Sequence, residues 1–145
     1  MKNTFKFILA CTVLACFAFM KPNSNDPKKT ITVVIDAGHG GHDDGAKFEG
    51  FSEKEIVASI AQKIKKYNSD NNVIIHLTRT EDNFISLQDR AKFINELKPD
   101  LVLSLHVNGN ENTDASGVEF YISPKSSTYE NAKIIAENLN SRFVN

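Results

Sequence analysis

The chain has 145 residues, 41% of them apolar and 24% charged, with a formal net charge of −1. That length supports one hydrophobic core rather than two. Lys and Arg are neither in excess nor interleaved with aromatics, so no nucleic acid is expected as a partner, and Lys63, Lys65 and Lys66 read as the solvated face of a helix.

Lys2 and Lys6 precede a charge-free apolar stretch that ends at Met20. A basic head followed by about 7–15 apolar residues is the pattern of a secretory signal, and the run is shorter than the roughly 20 residues of a membrane-spanning helix. Residues 1–20 are therefore expected to be a signal peptide or an N-terminal anchor, with the protein exported to the periplasm or cell envelope. Both cysteines, Cys11 and Cys16, fall inside this run, so no disulfide is expected in the exported part. Val13-Leu14-Ala15-Cys16 loosely follows a lipobox, which gives a lipidated Cys16 as a second route to membrane association. Residues 21–30, with two prolines and no apolar periodicity, read as a linker.

Ile31–Ile35 is a β-branched run, a short buried strand. It enters a Gly-rich loop, 37–51, in which no regular structure is expected. Ser52 and Glu55 have the spacing of a capping box, opening a helix over 52–67 with Ile56, Val57, Ile60, Ile64 and Tyr67 at helical spacing. Val73–Leu77 is a second strand. A helix over 86–97, with Leu87, Ala91, Phe93, Ile94 and Leu97 mostly inward, ends before Pro99. Leu101–Leu105, almost continuously apolar, is expected at the centre of a sheet covered on both faces. Val118–Ile122 is predicted as a fourth strand, and 127–141 as a last helix. The pattern predicts an α/β fold: a mainly parallel twisted sheet flanked by helices, a single domain in the order β-α-β-α-β-β-α.

In such sheets, ligands bind beyond the carboxyl ends of the strands. His39 follows the first strand and His106 the third; His42 lies just beyond His39, while His76 sits inside the second strand and reads as structural. The helix at 52–67 carries two acids in its first turn. Glu53 continues the stripe of Ile56, Ile60, Ile64 and Tyr67, whereas Glu55 is turned away and is explained by the cap. A carboxylate on a buried face is costly unless something positive meets it, and no Arg or Lys occupies the neighbouring inward positions. Two imidazoles and a carboxylate form a familiar catalytic zinc set. Asp36 and Asp43 are candidates for orienting an imidazole through its second nitrogen, and Gly38, Gly40 and Gly41 leave room for metal and substrate. The loop has neither of the glycine-rich phosphate-cradle signatures, which argues against a nucleotide site.

The chain resembles the catalytic domain of zinc-dependent N-acetylmuramoyl-L-alanine amidases. The motifs that carry the resemblance are DAGHGGHDDGA at 36–46, GFSEK at 50–54, IIHLTRTED at 74–82, LQDRAKFIN at 87–95, SLHVN at 104–108 and SGVEFY at 116–121. The resemblance implies one Zn2+ ion held by His39, Glu53 and His106, a peptidoglycan substrate, and hydrolysis of the amide between N-acetylmuramic acid and L-alanine. It also implies a general-base glutamate in a motif expected beyond Asn145, so that residues 31–145 are read as an amidase-like catalytic domain lacking its C-terminal part. Glu111 and Glu119 sit on no matching motif. The alternative reading is an inactive or weakly active zinc-containing module that binds peptidoglycan.

Overall fold

The computed structural model describes residues 28–108 and 116–143. Residues 1–20, most of the expected linker, Glu111 and Asn145 lie outside the described residues. The chain divides after Val107 into two compact units.

The first unit is built on a parallel sheet of strands β1 (Ile31–Ala37), β4 (Val73–Leu77) and β5 (Leu101–Leu105), in the order β4-β1-β5. Helix α1 (Glu53–Tyr67) joins β1 to β4, and α2 (Leu87–Leu97) joins β4 to β5. The central strand is therefore β1, and every residue from Val33 to Gly38 is buried. This corrects the expected place of Leu101–Leu105. β5 pairs with β1 alone among the described residues, and its residues alternate between half-buried and exposed. Its apolar run reflects packing on one side, not enclosure on two.

Alternation along β1 sorts its side chains. Val33, Ile35 and Ala37 pack with Val57 and Ala61 of α1 and with Leu77, forming the core. The inward face of α1 is therefore Glu53, Val57 and Ala61, whereas Ile60, Ile64 and Tyr67 of the expected stripe are exposed. Val34 and Asp36 take the opposite face, as the period of two requires. α1 starts where expected: Ser52 is its N-cap, and the Glu55 carboxylate closes the capping box by accepting from the Ser52 amide at 3.3 Å and its hydroxyl at 2.6 Å. α2 is capped by the Ser86 hydroxyl, which accepts from the Asp89 amide at 3.1 Å. Lys98 ends it in a left-handed conformation, φ 46°. Leu87 and Ala91 are exposed, contrary to expectation. The face that turns inward is Arg90, Phe93, Ile94 and Leu97.

The Gly-rich segment contains more order than its composition suggests. β2 (Lys47–Phe48) and β3 (Phe51–Ser52) form a short antiparallel hairpin. Its two central residues, Glu49 and Gly50, both have positive φ (48° and 85°), as a type I′ turn requires. The hairpin delivers the chain directly into α1.

The second unit contains α3 (Tyr129–Phe143), with the Phe120 and Phe143 rings 6.2 Å apart. Residues 118–122 form no strand, so the expected order loses that element while gaining the two short strands of the hairpin. Their apolar alternation is real, but no neighbouring strand among the described residues takes up the backbone groups, and Tyr121 is 84% exposed.

A buried ion pair ties α2 to the sheet. Arg90 Nη1 donates to Asp36 Oδ1 at 2.6 Å, and Asp36 also accepts from the Thr78 hydroxyl at 2.8 Å and the Ser104 hydroxyl at 2.9 Å. Burial opposes ionisation of Asp36, but the hydrogen bonds from Arg90, Thr78 and Ser104 and the Arg90 charge outweigh it and hold the carboxyl below its ordinary value. Removing one partner strands a buried charge, so Asp36→Ala is expected to cost about 3–5 kcal/mol in urea unfolding. The pH dependence follows the same pair. The unfolded chain binds this proton more readily, so the contribution is complete above about pH 4. It is lost as pH falls through the depressed folded value, and Asp36→Ala flattens the acid limb of the stability curve.

Candidate metal centre

Parallel pairing places Ala37 opposite Leu105, so β1 and β5 release their chains at the same edge of the sheet. The Gly38 amide donates to Leu105 O at 3.1 Å and holds the two exits together. His39 and His106 therefore stand side by side, with ring centroids 5.1 Å apart and planes at 85°. The His106 ring lies against Gly38: a Cβ there would sit 2.5 Å from His106 Cε1. Glycine at this position is what lets the second imidazole approach.

The hairpin brings in the third group. The Glu53 amide donates to Ala46 O at 2.8 Å, fixing the first residue of α1 against the loop. Glu53 is only 5% exposed. Its Oε2 accepts from the Ala46 amide at 2.9 Å, and Oε1 accepts from the Val107 amide at 2.9 Å. That same Oε1 lies 2.9 Å from His106 Nδ1 and 3.2 Å from His39 Nε2. Burial pushes the Glu53 carboxyl up, but the Ala46 and Val107 amides, His106 and the charge of His39 together hold it below its ordinary value. The helix N-terminus also favours an anion there.

One donor atom each from His39, Glu53 and His106 lies within 4.8 Å of the other two. The structure thus brings together the three residues that helical phase and strand ends had singled out. Of the two aspartates expected to orient an imidazole, Asp43 does so: its Oδ2 is 2.9 Å from His39 Nδ1, leaving Nε2 turned toward Glu53. The Asp43 carboxyl is held below its ordinary value by that contact and by the Gly45 amide. Asp36 does not. It lies on the other face of β1, committed to Arg90, Thr78 and Ser104.

The remaining candidates stand apart. His42 is exposed and its ring lies 4.2 Å from that of Phe84. His76 is in β4, opposite Val34. Glu119, in the second unit, accepts from Asn108 and, at 2.6 Å, from the Tyr121 hydroxyl.

Several supporting residues were not singled out from the sequence. Lys54 donates to Gly41 O at 2.7 Å, to Asp82 Oδ2 at 2.8 Å, and lies 3.0 Å from Asp44 Oδ1. Asp82 in turn accepts from the Gly41 amide at 2.8 Å. Together they pin the loop beside His39. Arg90 had a readable signal, since it sits on the same stripe as Phe93, Ile94 and Leu97. A buried-face arginine calls for the same question as a buried-face glutamate. Gly45 had none: with φ 66°, a Cβ on it would lie 2.6 Å from Glu53 Oε2 and 2.7 Å from His39 Cδ2.

Comparison with known proteins gives a consistent picture. A family model described as N-acetylmuramoyl-L-alanine amidase matches residues 33–145. An endolysin of Bacillus phage SPP1 is 39% identical over 116 residues, which is 77% of this chain and 42% of that protein. The N-acetylmuramoyl-L-alanine amidase LytC of Bacillus subtilis (strain 168) is 31% identical over 144 residues, 98% of this chain and 28% of its own length. The chain therefore spans less than half the length of these relatives. A crystal structure of an N-acetylmuramoyl-L-alanine amidase from Clostridium difficile 630 superposes with a TM-score of 0.69 at 32% identity, covering 78% of this chain and 64% of that one.

Two positive-φ glycines, Gly45 just before the hairpin and Gly50 in its turn, separate strain from crowding. Gly50→Ala, at φ 85° with nothing within 4 Å, meets only the backbone penalty, about 1–2 kcal/mol. Gly45→Ala meets the same penalty and also drives a methyl group between Glu53 and His39. In urea unfolding, Gly45→Ala is expected to be the more destabilising of the pair. Equal losses would show that the contact is not enforced.

Proposed function

The chain belongs to the N-acetylmuramoyl-L-alanine amidase family, and we propose that it uses zinc to hydrolyse the amide between the lactyl group of N-acetylmuramic acid and the L-alanine of the peptidoglycan stem peptide. The observation that carries the metal reading is the convergence of His39 Nε2 and His106 Nδ1 on Glu53 Oε1. Two imidazole nitrogens and one carboxylate oxygen are a donor set suited to a catalytic zinc, which keeps a coordination position open.

When bound, zinc supplies Lewis acidity, polarising an amide carbonyl and making water acidic enough to attack near neutral pH. The chain's own residues prepare for this. Glu53 enters as an anion, because two backbone amides stabilise the charge before any metal arrives. Asp43 fixes the orientation of His39 and leaves Nε2 available as a donor. The His106 side chain is 55% exposed, so the site faces solvent on that side and is accessible to a polymeric substrate. Asp82 and Lys54 hold the Gly41 backbone, limiting how far the loop carrying His39 drifts.

Export belongs to the same reading. The basic head and apolar run of residues 1–20 would carry the domain to the envelope, where the substrate lies, with cleavage or a lipidated Cys16 determining whether it stays at the membrane. Among the described residues no helix is long and apolar enough to cross a membrane.

Zinc content and turnover test the proposal in one preparation. His39→Ala and His106→Ala are each expected to lose stoichiometric zinc in elemental analysis, whereas Glu55→Ala, which alters only the helix cap, keeps it with a small loss of thermal stability. Release of stem peptide from purified muropeptides, measured against that of a chain carrying the implied general-base glutamate, should stop on chelation and recover on zinc addition. Zinc bound without stem-peptide release would favour the module that binds the wall without cutting it.

A further inference from the structure

Two arginines surround the C-terminal end of β1, and both are buried. Arg90 is matched by Asp36. Arg79, in the loop after β4, is matched differently: its guanidinium donates to backbone carbonyls. Nε reaches Ala37 O at 3.1 Å, and Nη2 reaches Gly38 O at 3.0 Å and Lys54 O at 2.8 Å. Nη1 makes a longer contact, 3.4 Å, with Glu81 O.

The two acceptors of Nη2 are the informative pair. Gly38 immediately precedes His39, and Lys54 immediately follows Glu53. One nitrogen with two hydrogens thus clamps the backbones that carry two of the three donor groups, although one lies at a strand end and the other in the first turn of a helix. The loop also closes over the clamp, since a Cβ on Gly40 would lie 3.1 Å from Arg79 Cδ and Nε. A planar fork of five donors suits this task. A lysine ammonium retains the charge but cannot take carbonyls in these separate directions.

Charge alone argues against an arginine here. A buried cation close to a site for a dication weakens that site by repulsion. A geometric role offsets that repulsion if the clamp is what sets the distance between His39 and Glu53.

We infer that Arg79 is a positioning residue of the metal centre, fixing the His39 and Glu53 backbones relative to each other through Gly38 O and Lys54 O. The inference rests on the zinc reading above. Outer partners of metal ligands are typically worth about 10–100-fold in metal affinity, and Arg79 is expected to fall in that range.

The test measures zinc affinity of the 145-residue chain by competition with a chromophoric chelator, with far-UV circular dichroism and cooperative unfolding of the metal-free protein followed in parallel. Arg79→Lys and Arg79→Gln should both weaken zinc binding by about 10–100-fold while the metal-free fold persists. Ala61→Gly, at a buried position two turns along α1, should lose stability but keep zinc affinity within about threefold. Tighter binding in Arg79→Gln would show that repulsion dominates and overturn the inference. So would unchanged affinity in Arg79→Lys, an equal loss in Ala61→Gly, or collapse of the metal-free fold in both Arg79 variants, which would make Arg79 a general stabiliser. If the unsubstituted chain binds no zinc, the metal reading fails and this inference fails with it. Binding by the unsubstituted chain with no effect of Arg79 removes this inference alone.

Discussion

A buried carboxylate at the start of a helix organises this domain. Glu53 is nearly inaccessible to solvent and its charge is favoured over its neutral form. An isolated carboxylate would be very costly in such a place. Here its oxygens accept from amides on both sides, Ala46 just before the hairpin at Oε2 and Val107 from beyond β5 at Oε1, and the imidazoles of His39 and His106 approach Oε1 as well. Three segments remote in sequence are tied to one functional group. The hairpin, the glycines and the strand register all act to make that meeting sterically possible.

The opposite face of β1 shows how the end of the strand is kept rigid. Asp36 points away from the imidazoles and holds Arg90, which also donates to Ala37 O at 2.7 Å and His39 O at 2.6 Å. Arg79 takes Ala37 O as well. The carbonyls that would otherwise face a dry interior as the strand breaks into a loop are thus satisfied by guanidinium groups rather than by a further ladder. Among the described residues no buried side-chain polar atom lacks a partner. Such a network has discrete geometry, and discrete geometry is what a metal site needs from its surroundings.

Much of this was legible in the residues themselves. Helical phase separated Glu53 from Glu55, and the structure puts one in the interior and the other in the cap. The buried stripe, however, is Glu53, Val57 and Ala61 rather than the one through Ile60, Ile64 and Tyr67, which are exposed. Strand-end position selected His39 and His106, because ladder pairing carries the exits of adjacent parallel strands to one edge. The misreadings also have physical causes. β5 looked central because apolar continuity does not reveal which strand receives partners on both sides, and it was β1 that did. Residues 118–122 alternate like a strand, yet alternation supplies no hydrogen-bonding neighbour. Asp36 was misplaced because a period of two sends it to the face away from the loop. The hairpin was missed because its turn is Glu49-Gly50 rather than the Asn-Gly or Asp-Gly that usually marks one.

In the proposed function, two imidazoles and a carboxylate, from His39, His106 and Glu53, grip one zinc ion. X-ray absorption at the zinc edge, on the chain loaded with one equivalent, examines that grip directly. It should show nitrogen and oxygen neighbours only, at about 2.0–2.2 Å, with the outer-shell scattering of two imidazole rings. A spectrum with a single imidazole, or with only water-like oxygen scattering, would contradict it.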